Sequence, residues 1–272
     1  MSELNFKERF SVLRPHIIKA GEKIKQMRDN GEVVSEIKED QSPVTNADVW
    51  ANKYLKDGIS SHFPGEIIIG EEDDDKSYKP GTEVIWFFDP IDGTKAYLGK
   101  SIDYFILVGL CVNGQPVLGI HYQPETKKMI YGWTDGGIFF QKADSEPEEI
   151  TTKRQWNADP HFYIKTHDTD LRNAVKELGI TRATYAKGMV DMLAPLSGHA
   201  DGYISLRPTA YWDLCAPAAI MNAAGFVHPG KKNGQKPILF NDGLVKTSFY
   251  YSLPPDTPDL FLEQIKSIHL NR

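Results

Sequence analysis

A chain of 272 residues, 40% hydrophobic and 25% charged, has the composition of an ordinary globular protein and the length for one large domain or two smaller ones. A formal net charge of -6 excludes the basic footprint of a nucleic-acid binder. Only two cysteines are present, Cys111 and Cys215, which excludes a disulfide scaffold, and no run approaches the roughly 18 apolar residues of a membrane span. The N-terminus lacks an apolar signal segment, so the expected location is cytoplasmic.

Phe6, Phe10, Leu13, Ile17, Ala20, Ile24 and Met27 recur at steps of four and three, which predicts a long amphipathic helix. Pro15 is expected to kink or divide it, and Asn30-Gly31 to stop it. Weak alternation over 33–37 predicts a short strand before a polar loop. Thr45 stands as the N-cap of a helix over 46–62, with Asp48 in its first turn and Trp50, Leu55, Ile59 and Phe63 on its buried face. Residues 66–70 form a short buried strand that runs into the acidic stretch 71–75. A second buried strand, 84–88, leads into Asp89-Pro90-Ile91-Asp92-Gly93-Thr94-Lys95. Strands over 104–112 and 115–122 flank the hairpin turn Asn113-Gly114, and 128–133 and 137–142 continue the meander.

Polar residues over 143–159 mark a boundary, dividing the chain into halves 1–150 and 151–272. In the second half, strands are predicted at 162–166, 202–206 and 245–253, and helices at 169–178, 190–198, 212–224 and 258–269. That alternation indicates a more parallel α/β half after an α+β half.

The central motif sets Asp89 and Asp92 three residues apart with Pro90 fixing the backbone between them. Asp, Pro and Gly also make ordinary capped turns. Two carboxylates held close repel each other unless a cation lies between them, and hard divalent cations prefer such oxygen ligands. Such a cation needs about six oxygens, so further acids at element ends become candidates. Glu71 follows the first buried strand, with Glu72 as a supporting neighbour, whereas Asp73, Asp74 and Asp75 read as a solvated loop. Asp213 starts an apolar helix, where it could equally be an N-cap, and Asp48 has the same alternative.

Gly70-Glu71-Glu72, then Asp89-Pro90-Ile91-Asp92-Gly93-Thr94, then Trp212-Asp213 before small apolar residues and Asn222-Ala223-Ala224-Gly225 together resemble the inositol monophosphatase superfamily of Mg2+-dependent, lithium-sensitive phosphatases. The resemblance runs from Val44 to Gly225 and departs at Phe226, where a second glycine is usual. It implies a layered α-β-α-β-α sandwich with the site between the halves. It implies metal ligation by Glu71, Asp89, the Ile91 carbonyl, Asp92 and Asp213, with two or three Mg2+ ions or Mn2+ in their place. Asp48 and Thr94 match the pair that orients and deprotonates the attacking water, and the Gly93 and Thr94 amides face the phosphate.

Lys95 after the threonine resembles the 3'(2'),5'-bisphosphate nucleotidase branch, which removes the 3'-phosphate of adenosine 3',5'-bisphosphate. Lys165-Thr166-His167 resembles that branch's nucleotide-contacting segment, so Thr166 and His167 join Gly93, Thr94 and Lys95 as expected substrate contacts. Asp213-Leu214-Cys215-Ala216-Pro217 is similar to its Asp-x-Cys-Ala-Pro. Over 187–191 the branch's serines are missing and Asp191 is added; Lys187, Lys165 or Arg207 could pair with a second phosphate instead. The alternatives are an inositol-1-phosphate, histidinol-phosphate or sugar-phosphate phosphatase, or a non-catalytic relative that binds metal and phosphate. The expected partner is a small phosphorylated metabolite, with no nucleic-acid polymer and no membrane, and the chain acts as a monomer or homodimer.

Overall fold

The computed structural model describes residues 4–152, 155–166, 168–178, 180–185, 189–228, 240–247 and 249–270. Helix α1 (Phe6–Asp29) runs unbroken through Pro15. An interior proline removes one hydrogen bond, but Phe10, Leu13 and Ile17 on either side stay buried in one core, and that packing keeps a single element where local chemistry favours two. Asn30 caps it, and Gly31 takes φ 70°, a left-handed turn that suits glycine. Strands β1 (Ser35–Ile37) and β2 (Pro43–Thr45) form an antiparallel hairpin, of which only the first was predicted. Helix α2 (Asn46–His62) starts with a capping box: Thr45 Oγ accepts from Asp48 N at 3.2 Å, and Asp48 Oδ2 accepts from Thr45 N at 2.8 Å.

The main sheet then builds in chain order from β3 (Ile67–Gly70), β4 (Val84–Asp92), a short helix α3 (Thr94–Leu98), β5 (Phe105–Val112), β6 (Gln115–Gln123), β7 (Lys128–Trp133), β8 (Gly137–Lys142) and β9 (Glu148–Glu149). Its seven strands lie in sequence order, antiparallel except for the β3–β4 pair.

The second half supplies β10 (His161–Lys165), α4 (Thr169–Glu177), β11 (Arg182–Tyr185), β12 (Gly202–Ser205), β13 (Thr209–Ala210), α5 (Tyr211–Ala223), β14 (Lys246–Thr247), β15 (Tyr250–Ser252) and α6 (Asp259–Leu270). Its sheet has the order β11-β10-β12-β15, with β10 parallel to both neighbours and β15 antiparallel. The helix expected over 190–198 is present as a 3₁₀ helix, Met189–Ser197, in which Pro195 denies one backbone donor. The strand expected over 245–253 is two short pieces that pair with different partners, β13 and β12. Edge strand β11 was not foreseen, because Arg182–Tyr185 carries no apolar run.

Three cores separate five layers. Helices α1 and α2 cover one face of the main sheet. Its other face packs on α5 and the 3₁₀ helix, which in turn meet Tyr163, Tyr203 and Tyr250 of the second sheet. Helices α4 and α6 close the far side. This is the expected α-β-α-β-α sandwich. Cys111 and Cys215 are both buried and not disulfide-bonded.

Candidate active site

Strand β4 does not end before the motif but carries it. In a regular strand, residues three apart face opposite sides. Here Asp89 pairs with Leu107 and Asp92 with Phe105, so three steps on β4 match two on β5, and the register shifts by a bulge between them. Leu107 and Phe105 share the face that packs on α5. The bulge therefore turns both carboxylates toward that helix. Pro90 has no N–H to lose at such an irregularity. The Asp89 Oδ1 atom accepts from Ile91 N at 2.8 Å, which pins the first acid.

Glu71 continues β3 beyond its end: its N–H donates to Phe88 O at 3.1 Å, and it follows Ile69 at the two-residue period onto the same face. Asp213 is the third residue of α5, and Ala210 holds the N-cap, so the capping alternative does not apply. Helix α5 lies unusually close to the sheet because two strand positions lack a side chain. A Cβ on Gly109 would stand 2.6 Å from Ala216 N, and one on Gly119 would overlap the Ala216 carbonyl. These elements bring ligand atoms of Glu71, Asp89 and Asp213 within 4.8 Å of one another.

The electrostatics of the cluster are those of acids short of counter-charge. Asp89 is 2% exposed, and burial, then Glu71, Asp92 and Asp213, raise its pKa well above the carboxylate range. Burial and Asp92 push Asp213 up to about 8 against the pull of Lys165. Burial also lifts Asp92 to about 6, with Lys165 opposing and Glu71 adding to the rise. Burial depresses the Lys165 ammonium despite Asp213 and Asp92 beside it. On the other side Lys38, from the β1–β2 hairpin, donates to Glu71 at 3.0 Å and Glu72 at 2.6 Å. Lys38 was not foreseen, since nothing in a polar hairpin marks one lysine over another. A convergent set of carboxylate oxygens, in which burial raises the pKa of Asp89, Asp92 and Asp213, fits a hard divalent cation. Glu71, Asp89, Asp213 and Asp92, with the Ile91 carbonyl, would hold it.

Beside the acids, Thr94 Oγ donates toward Asp48 Oδ1 at 3.3 Å and toward Ile91 O at 3.2 Å. Asp48 is 1% exposed, and burial raises its pKa even though Thr45 stabilises its charge. Its second oxygen holds the Thr45 hydroxyl at 2.5 Å, so one side chain serves both the helix cap and the site. Gly93 precedes α3 with φ 94°. A cleft of about 750 Å³ opens over Glu71, Asp92, Gly93, Thr94 and Lys95.

Other expected residues sit elsewhere. Thr166 is buried, its hydroxyl accepts from Asp168 N at 3.1 Å, and it does not line that cleft. His167 and Lys187 lie outside the described residues. Glu72 pairs with Lys38 as a neighbour of the cluster. Asp73 is not solvated: it binds Lys56 at 2.6 Å, Asn52 at 2.8 Å and Gly70 N at 2.9 Å, fixing the turn that carries Glu71. Asp74 and Asp75 are exposed, as expected. The cleft adds Tyr163, Thr184, Tyr185 and Asp191 from the second half. Among these only Asp191 had been singled out, because a half-buried tyrosine on a strand reads as core.

The inositol monophosphatase family model matches residues 7–265. The chain is 29% identical over 219 residues to the 3'(2'),5'-bisphosphate nucleotidase CysQ of Escherichia coli (strain K12), covering 76% of this chain and 84% of that protein. It is 25% identical over 226 residues to the inositol-1-monophosphatase of Bacillus subtilis (strain 168), covering 81% and 84%. A solved IMPase/NADP phosphatase, complexed with Mg2+ and phosphate, superposes with TM-score 0.76 at 16% identity, covering 95% of each chain. Five layers that gather these acids beside a threonine–aspartate pair define a phosphoric monoester hydrolase that uses divalent metal. The chain belongs to the inositol monophosphatase family.

Proposed function

We propose that this phosphatase is Mg2+-dependent and removes the 3'-phosphate of 3'(2'),5'-bisphosphate nucleotides such as adenosine 3',5'-bisphosphate. The convergence of Glu71, Asp89 and Asp213 carries the chemistry. When bound there, two or three Mg2+ ions, or Mn2+, supply charge stabilisation at phosphate oxygens and a water of lowered pKa. The residues of the chain do the rest. Asp48 accepts from Thr94 Oγ, which leaves that oxygen's lone pairs facing outward for the proton of an attacking water. A carboxylate whose pKa is raised by burial is the better proton acceptor for this pair. The Gly93 and Thr94 amides are set to bind the phosphate, and Lys95 offers the cleft a cation.

The nucleotide assignment is supported by similarity to CysQ and by Lys95 after the threonine. Residues 1–150 contribute Glu71, Asp89, Asp92 and the Asp48–Thr94 pair, and residues 151–272 contribute Asp213 and the far wall. Two buried, unpaired thiols suit a cytoplasmic setting. A second reading has one observation behind it. The Asp191 carboxylate in the cleft suits a hydroxylated or cationic leaving group, as in inositol-1-phosphate, histidinol phosphate or a sugar phosphate. Parallel assays with Mg2+ on adenosine 3',5'-bisphosphate, inositol-1-phosphate and histidinol phosphate decide between them. A preference for the nucleotide is expected, and equal rates on all three would overturn it.

A further inference from the structure

Helix α2 turns a row of polar side chains toward the site. Asp48, Asn52 and Lys56 stand four residues apart, so they lie one above another on one face of the helix. Asp48 meets Thr94. One turn on, Asn52 is only 6% exposed and reaches the turn that carries Glu71. Its Oδ1 accepts from Glu72 N at 3.3 Å, and its Nδ2 donates to Asp73 Oδ1 at 2.8 Å. Lys56, a turn further, donates to Asp73 Oδ2 at 2.6 Å, and that oxygen also accepts from Gly70 N at 2.9 Å. With Glu71 N on Phe88 O and Asp73 N on Gly70 O, every backbone N–H from Gly70 to Asp73 is taken. Gly70 leaves room for this approach, because a Cβ there would stand 2.2 Å from Asn52 Oδ1. The Asp73 carboxylate accepts and the Glu72 N–H donates, so position 52 needs one donor and one acceptor, and that need decides which way the amide points.

We propose that Asn52 is a positioning residue that locks the metal ligand Glu71 to the helix carrying Asp48, so that the metal-binding acids and the Asp48–Thr94 pair keep a fixed separation. The proposal deepens the metal-dependent reading above and rests on it. The clamp has work to do at this place because residues 71–75 are five consecutive acids, and their mutual repulsion favours an open turn. Asn52 supplies the closure without adding a further charge.

The test is calorimetric titration of the full chain with Mg2+, alongside Tm in EDTA. Asn52→Ala removes both bonds. Asn52→Asp keeps the shape but sets a carboxylate against Asp73. The exchange of Asn52→Asp together with Asp73→Asn restores a donor opposite an acceptor at the parent net charge. Kd for Mg2+ is expected to rise about tenfold or more in both single variants, the scale for losing a group that orients a metal ligand, and to return to within about threefold of the parent in the exchange. Parent Kd in Asn52→Ala overturns the proposal whatever its Tm, because the contact is then merely structural. Tighter binding in Asn52→Asp also overturns it, since added charge alone would then govern. An exchange that binds no better than Asn52→Asp does the same. A parent chain that binds no Mg2+ overturns the metal-dependent reading and the clamp together.

Discussion

Asp92 is held half-buried among other acids, and its pKa of about 6 records how unwelcome its charge is there. Asp92→Asn removes a metal-binding oxygen and a repulsion at once. Its kcat is expected to fall about 10²–10³-fold, the scale for losing one preorganised charge-stabilising group, while the Tm of the metal-free protein holds or rises. Parent-rate hydrolysis in this variant would remove Asp92 from the site. Asp191 poses the opposite case, a carboxylate on the cleft wall that no ligand role claims. Against a substrate with two phosphates it repels, so Asp191→Asn should lower KM for adenosine 3',5'-bisphosphate severalfold, more at low ionic strength than at high. A raised KM would instead assign Asp191 to leaving-group recognition and favour the polyol or amine esters. Most of these acids were legible in the chain because each stands beside a turn, cap or strand end. Lys38, Tyr163 and Tyr185 were not, because a lysine on a polar hairpin and tyrosines on strands have no local signature.

At the scale of elements, the site depends on a bulge and on a tight contact. The bulge in β4 lets Asp89 and Asp92 share a face. The helix–sheet contact at Gly109 and Gly119 sets how far Asp213 reaches toward them. Gly119→Ala drives a methyl into the Ala216 carbonyl, and overpacking of this kind costs about 1–3 kcal/mol. Because α5 carries Asp213, the same variant should bind Mg2+ more weakly, so Tm and metal affinity fall together, unlike in Asp92→Asn. Lowered Tm with parent Mg2+ affinity would show that the spacing of α5 does not tune the site. The capping alternative for Asp213 does not apply because α5 starts two residues earlier, with Ala210 at the N-cap. Local pattern locates the start of an apolar helix only to within a residue or two, and the side chain's role depends on what the helix lies against.

For the molecule as a whole, the acids tie metal binding to stability. Folded Asp213 and Asp92 keep their protons up to about 8 and 6, whereas both lose them near 3.8 when unfolded. Between those values the folded state binds more protons than the unfolded one, so stability of the chelated protein should fall as pH rises from about 4 to 8. Mg2+ binds the deprotonated acids of the folded chain, so it should raise Tm more at pH 8 than at pH 5; a hundredfold excess over Kd at a given pH adds about 2.7 kcal/mol of stability. Thermal melts with EDTA and with Mg2+ across that range check both slopes. A flat profile without metal would mean that neither burial nor mutual repulsion raises the pKa values of these carboxylates in the folded protein.

No helix among the described residues is long and apolar enough to cross a membrane, in agreement with the composition. By itself the chain determined its class, its main strands and helices, and the acids at their ends, because periodicity, caps and turn residues act over a few neighbours. The tertiary structure alone decided that α1 continues past Pro15, that Asp73 anchors a turn, and that Tyr163 and Asp191 line the same cleft as Glu71 and Asp92. Those outcomes depend on contacts between residues far apart in the chain, and no short window of sequence contains both partners.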